Sequence, residues 1–301
     1  MRNRLDLPVE LEREIFEIAA KADIGTALRL AVVARRVQAW VEPIIYSQVV
    51  VAHAPDASQF QIQNTRTILA HRIRAQLHNS KNKKKDPLAH VPRFIRTIPL
   101  RSASFFARNV RRLYVGHLSE PELVTVLSAC TGVAELGWCA CTLSPPVAAA
   151  LSALPLRRLA VDHTFAFDAL PPAPLARLTH LDLAFHEVSY LPLLPPLQHL
   201  RALTHFSAAF GRAVPPPSWA APVFDACPAL RIVLFYSDQM YMEQISGLRP
   251  RHPDPRVVVM LPPVGDWTAR WVHDAWPLAE EVVRERRTIA AAEKAAAALD
   301  L

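Results

Sequence analysis

Residues 156–161 read Leu-Arg-Arg-Leu-Ala-Val, and residues 178–183 read Leu-Thr-His-Leu-Asp-Leu. The phrase precedes them as Arg-Arg-Leu-Tyr-Val at 111–115 and as Val-Ala-Glu-Leu-Gly-Trp at 133–138. It returns after them as Leu-Thr-His-Phe-Ser-Ala at 203–208, Leu-Arg-Ile-Val-Leu-Phe at 230–235 and Arg-Val-Val-Val-Met-Leu at 256–261. The central apolar positions are Leu113, Leu136, Leu159, Leu181, Phe206, Val233 and Val259, at steps of 23, 23, 22, 25, 27 and 26 residues.

A Leu-x-x-Leu-x-Leu phrase at this interval is the mark of leucine-rich repeats. Each phrase is read as a short strand, and the rest of the interval returns by a helix or an irregular turn. Pro121–Leu127 and Pro146–Leu151 are helix-forming returns, whereas Pro171-Pro172, Pro195-Pro196 and Pro215-Pro216-Pro217 point to irregular ones. The repeat body runs over 105–262. Such a stack builds a surface for gripping another macromolecule and does not by itself build a catalytic pocket.

Composition agrees with a stacked body. The chain has 301 residues, 51% of them hydrophobic, which is ample for a core and argues against a proline-rich disordered chain. With 7 glycines against 27 prolines, phosphate-cradling loops are disfavoured and short, stiff connections favoured. The net charge of +7 gathers partly in Lys81-Asn82-Lys83-Lys84-Lys85 and in Arg284, Arg286 and Arg287. The charge is not a stripe interleaved with aromatics, so these are read as a solvated loop and a helix face, not a nucleic-acid surface. The lysine run also fits a nuclear-import signal, leaving cytoplasm and nucleus both open.

Met1-Arg2-Asn3-Arg4-Leu5-Asp6 lacks the apolar core of a secretory signal, so a reducing compartment with free thiols is expected. Cys139-Ala140-Cys141 is too sparse for zinc, and Cys130 and Cys227 read as small buried residues at a unit's corner. Leu136–Leu156 carries no charge, but its prolines, glycine and repeat phrase mark it as core and not a membrane span.

The two ends differ from the middle. Residues 7–19 read as an amphipathic helix with Pro8 in its first turn and Leu7, Leu11, Ile15 and Ile18 at helical spacing. Asp23 is placed to cap the next helix. Residues 25–41 give one or two further helices, Pro43 ends that run, and Ile44–Val51 reads as a strand. Residues 57–78 read as helical, and 92–109 are ambiguous. Asp266-Trp267, Trp271 and Trp276 lead into a helix over 277–299, read as a terminal cap over the last unit, with Glu280 and Arg284 spaced for an ion pair.

No catalytic arrangement emerges. There is no Gly-x-Ser-x-Gly elbow, no phosphate loop and no His-Glu-x-x-His. A metal cluster from His163, His180 and His205 lacks a carboxylate or cysteine to complete it, and Asp162-His163 has no serine partner. The expectation is a non-enzyme without metal or cofactor.

The opening Leu7-Pro8-Val9-Glu10-Leu11, then Ile15-Phe16, Val33-Ala34-Arg35-Arg36 and Trp40, resembles the F-box, a three-helix motif that docks a Skp-type adaptor in cullin–RING ubiquitin ligases. With the repeats behind it, the layout resembles F-box and leucine-rich-repeat proteins. More narrowly, it is similar to a large group of proteins of mushroom-forming fungi. Those also carry Leu-Thr-His-Leu, Cys-Pro-x-Leu-Arg and a late Asp-Trp with a Trp-rich helix, here Leu178–Leu181, Cys227–Arg231 and Asp266–Trp276. Ala34 stands where the usual motif has Cys or Ser, and Asp23–Ala27 replaces its acidic-Leu-Leu step.

The resemblance implies an α/β chain in four segments: a three-helix F-box-like motif at 1–45, a strand, helix and Lys-rich connector at 46–104, a degenerate leucine-rich-repeat solenoid at 105–262, and a Trp-rich cap with a C-terminal helix at 263–301. It implies Leu7, Pro8, Leu11, Ile15, Val33 and Trp40 as adaptor contacts, and a protein target held by the repeats. The alternative from helical spacing alone is that the same six residues pack the three helices on one another and on the first repeat, the head then serving as a cap for a scaffold with no ubiquitin role.

Overall fold

The computed structural model describes residues 7–53, 92–162, 165–184, 199–209, 220–236, 254–260 and 274–299. The helix expected over 57–78, the lysine run at 81–85, His163, the prolines at 195–196 and 215–217, and Trp267 and Trp271 lie outside them. The chain is mixed α/β and divides into two compact units, residues 1–134 and 135–301. Every strand pairs in parallel, and within each unit the strand order follows the chain order.

The first unit opens with α1 (Val9–Ala22), α2 (Ile24–Leu30) and α3 (Arg35–Tyr46). Asp23 separates α1 from α2: its backbone is extended, and its carboxylate accepts from the Thr26 N–H at 2.7 Å. This is the expected cap, and it satisfies a donor that the helix start leaves orphaned. The three helices close on Ala20, Ala27, Val37, Val41 and Ile45, flanked by Phe16, Ile24, Leu30 and Trp40.

Pro43 lies inside α3 and does not end it. Its ring removes one helical hydrogen bond, but Ile45 is buried in the three-helix core and Ile44 packs beside it. That burial holds the last turn helical, so the strand expected over Ile44–Val51 begins later, as β1 (Gln48–Ala52).

β1 pairs with β2 (Arg112–Gly116), placing Val49 beside Leu113 and Val51 beside Val115. Between them the ambiguous segment is helical: α4 (Arg93–Thr97), a 3-10 turn (Ile98–Leu100) and α5 (Ala103–Asn109). Tyr46 meets Phe105 and Phe106 edge to face, with ring centroids 5.1 and 5.7 Å away. α6 (Glu120–Ala129) starts with a capping box between Ser119 and Glu122. Gly132 comes after it, where an added Cβ would collide with the Ala107 carbonyl oxygen.

The second unit is a ladder of β3 (Glu135–Cys139), β4 (Arg158–Asp162), β5 (His180–Ala184), β6 (His205–Ala209), β7 (Ile232–Tyr236) and β8 (Val257–Met260). Parallel neighbours need a crossover between them. Among the described residues the crossovers include α7 (Pro145–Ser152), a 3-10 turn with α8 (Pro172–Leu175), and α9 (Ala220–Ala226). Leu136, Leu159, Leu181, Phe206, Val233 and Val257 stand opposite one another in register, and all are buried.

The last of these corrects the sequence reading. Val259 pairs with Phe235, and Val257 takes the place beside Val233. Side chains alternate with a period of two along a strand, so Val257 and Val259 face the same way, and an unbroken Val-Val-Val run cannot tell them apart. α10 (Trp276–Leu299) closes the described chain.

Candidate functional site

Two surfaces stand out, one in each unit. On the head, α1 has two faces. Phe16 and Ala20 turn into the three-helix core. Leu11, Ile15 and Ile18, at three- and four-residue spacing, lie on the opposite face and are exposed. The apolar stripe that usually marks the buried side of a helix therefore faces out here.

Of the six residues singled out, Leu7 is 50% exposed, Leu11 48%, Ile15 57% and Val33 62%. Pro8, the cap residue of α1, is exposed as well. Trp40 differs: it packs in the head core with its ring 6.3 Å from Phe16. The alternative that all six pack the helices together is thus met by Trp40 and not by the other five. Val9, Ile18, Leu28 and Val32 are exposed apolar side chains too. Ile18 continues the spacing of Leu11 and Ile15, which is the signal that groups it with them.

Glu12 and Arg36 bring the α2–α3 turn toward α1, joined at 2.7 Å. Phe16 and Trp40 meet one turn further along each helix.

The second surface is the ladder face opposite the apolar column. The phrase Leu-Thr-His builds it. Leu178 and Leu203 are buried. The N–H groups of Thr179 and His180 both reach the Arg157 carbonyl, and those of Thr204 and His205 reach the Thr179 carbonyl. Each threonine hydroxyl lies beside the Nδ1 of the next residue's ring, at 2.9 Å for His180 and 2.8 Å for His205.

The two imidazoles stack with centroids 4.2 Å apart. Trp276 of α10 lies edge-on to both, 5.7 Å from His180 and 5.1 Å from His205. Burial, with His205 and Arg158 adding, pushes the His180 pKa down to about 4. Burial lowers that of His205 as well, against the opposing pull of Glu280. Both rings are therefore neutral at pH 7. A neutral ring has one N–H, and the 3.1 Å contact of His205 Nε2 with Glu280 Oε1 places it on Nε2. The Thr204 hydroxyl, 2.8 Å from Nδ1, donates to the Thr179 carbonyl at 3.0 Å.

Beside the rings runs a buried ionic chain. Arg158 Nε donates to Asp182 Oδ2 at 2.9 Å, Ser207 donates to Asp182 Oδ1 at 2.5 Å, and Arg158 Nη1 reaches Asp274 Oδ1 at 3.2 Å. Burial opposes the Arg158 charge, but Asp182 and Asp274 outweigh it and hold its pKa above the ordinary value.

The expected Glu280–Arg284 pair does not form. Glu280 turns to His205, and Arg284 stands 3.7 Å from Glu281. The tryptophan-led helix reaches further than the last unit: Trp276 lies edge-on to the rings on β5 and β6, while Ala279 and Val283 pack with Val258 of β8.

Cys130 and Cys227 are buried, as read from their place before a phrase. Burial raises their pKa to about 12 and about 11, so both stay protonated thiols at pH 7. Among the described residues no group of His, Cys, Asp or Glu is arranged to hold a metal, and no helix is long and apolar enough to cross a membrane. No protein-family model matches the chain, and comparison with the curated proteins finds no match either.

Proposed function

We propose that the chain recruits a protein target to a Skp–cullin–F-box type ubiquitin ligase. Its F-box-like head docks a Skp-type adaptor, and its parallel ladder, read as a degenerate leucine-rich-repeat solenoid, holds the target. Ubiquitin transfer is catalysed elsewhere in the assembly. The ladder contributes proximity by keeping the target within reach of the loaded enzyme.

The exposed apolar stripe on α1 carries this reading. The head has a complete core of its own, yet Leu7, Leu11, Ile15 and Val33 remain in water. Apolar side chains gathered on one surface mark an interaction site. Burying each in a partner's groove contributes about 1.5–3 kcal/mol at most.

The test is calorimetry of the full chain against a fungal Skp-type adaptor. Binding at micromolar concentration is expected, and Leu11→Asp or Ile15→Asp removes it while the chain stays folded. No heat at tens of micromolar from a folded chain rejects the ligase reading.

One contact favours a second reading, a leucine-rich scaffold whose head is only a cap. Tyr46, at the end of α3, packs on Phe105 and Phe106 of α5, so the head adheres to the rest of its own unit. Removal of residues 1–45 separates the two. Thermal stability drops for a cap and stays nearly unchanged for a docking module.

A further inference from the structure

We propose that the strand face of β4–β8 opposite the apolar column is a helix-binding surface with α10 as its displaceable occupant, and that a partner's amphipathic helix with an acidic and aromatic start and an apolar finish takes α10's place.

α10 crosses this face strand by strand. Asp274 holds Arg158 of β4. Trp276 covers His180 of β5 and His205 of β6. Ala279 and Val283 pack with Ile232, Leu234 and Tyr236 of β7 and with Val258 of β8. Arg286 donates to the Val257 carbonyl at 2.6 Å. The contacts fall at 276, 279 and 283, the spacing with which an amphipathic helix reads a groove.

Trp276, Ala279 and Val283 are buried in this contact, and three observations bear on how firmly the helix is held. First, the polar part of the strand face is largely paired within the strands. Arg158, Asp182 and Ser207 bond one another, and each histidine lies beside its threonine. The helix side adds Asp274 and Glu280, whose side chains are 46% and 58% exposed, and the Arg286 bond to the Val257 carbonyl.

Second, the seam is open. A groove of about 540 Å³, open to solvent, runs along the edge of the contact, lined by His205, Arg231, Ile232, Glu280, Val283 and Arg287.

Third, the grip is short. The described side chains from Arg287 onward are exposed, so α10 is held only over its first half. The face itself has two parts, polar on β4–β6 and apolar on β7–β8, and this sets the chemistry of any replacement helix.

The inference stands whether or not the head docks an adaptor, and adaptor binding measured on the same samples keeps the two apart. The probe is a fluorescein-labelled peptide of residues 274–290, added to the full chain and monitored by anisotropy. The tethered helix competes at high effective concentration, so the unaltered chain binds the peptide weakly. Trp276→Ala in the chain weakens the tethered copy, and the double change Asp274→Ala with Glu280→Ala cuts its two carboxylate ties without opening a hole. Either variant, folded by circular dichroism, is expected to bind the peptide at least about tenfold more tightly than the unaltered chain. Unfolding of both variants, or no gain in whichever stays folded, overturns the proposal.

Discussion

His180 and His205 lie ring on ring, their planes only 4° apart, on strands that pair residue for residue. Trp276 lies edge-on to both, and Arg158, Arg231, Asp182, Asp274 and Glu280 supply the charges around them. Both pKa values are lowered in the fold, so on acidification the unfolded chain takes up protons first. Stability is therefore complete above the ordinary histidine range and falls as pH drops from about 6.5 toward 4, by on the order of 2–3 kcal/mol for His180. Melting temperatures from pH 7.5 to pH 4.5 should show this slope, and His180→Gln should flatten it. An equal slope in both proteins would place the titration elsewhere.

The exposed face of α1 and the closed centre of the head predict opposite responses to the same change. Leu11→Asp and Ile15→Asp put a charge where the side chain already meets water, and stability should move by no more than about 0.5 kcal/mol. Val41→Asp places an unpaired carboxylate in the closed centre of the head and should cost several kcal/mol, at least about 3. Thermal melts of the three variants decide this. Loss of folding in Leu11→Asp would make the stripe a packing face and remove the ground for docking.

Much of the ladder was readable because its signal is local. One apolar side chain in each phrase must enter the column, and Leu136, Leu159, Leu181, Phe206 and Val233 do so. The last rung slipped by two because three valines in a row carry no period. Pro43 misled for a different reason. Its local penalty is real, but the burial of Ile45 that outweighs it is a long-range contact. The head's spacing marked a helix and a face without giving the direction of that face. Ala20 and Ala27, not the larger leucines, fill the centre, and small residues leave a weak trace in any periodicity. Glu280 shows the limit most plainly. Its neighbour four residues on is visible in sequence, whereas His205 lies 75 positions away.

Gly132 has no special backbone conformation to explain it; its reason is contact. A methyl group there would strike the Ala107 carbonyl and crowd the Arg111 guanidinium, which itself donates to the Gly132 carbonyl at 3.0 Å. Arginine can swing aside, but a backbone carbonyl cannot without moving the end of α5. Gly132→Ala should therefore destabilise the first unit by about 1–3 kcal/mol. Chemical denaturation would check it, and a neutral result would mean that α5 yields more easily than its packing implies.

Arg158 has two acidic partners that are unequal by burial. Asp182 is buried beside it and also takes the Ser207 hydroxyl. Asp274 is nearly half exposed. Removing a buried partner leaves a guanidinium in a poorly solvated place with its charge uncompensated, and breaking such a pair costs about 3–5 kcal/mol. Removing an exposed partner costs at most about 1 kcal/mol, because water replaces the lost carboxylate. Asp182→Ala should thus lower stability far more than Asp274→Ala, although each deletes one carboxylate from the same arginine. The double change Arg158→Met with Asp182→Leu should recover much of the loss, since no unpaired charge remains. If Asp182→Ala and Asp274→Ala prove equally mild, water reaches Arg158 freely, and the chain that joins β4, β5 and β6 is a surface feature and not part of a preorganised face.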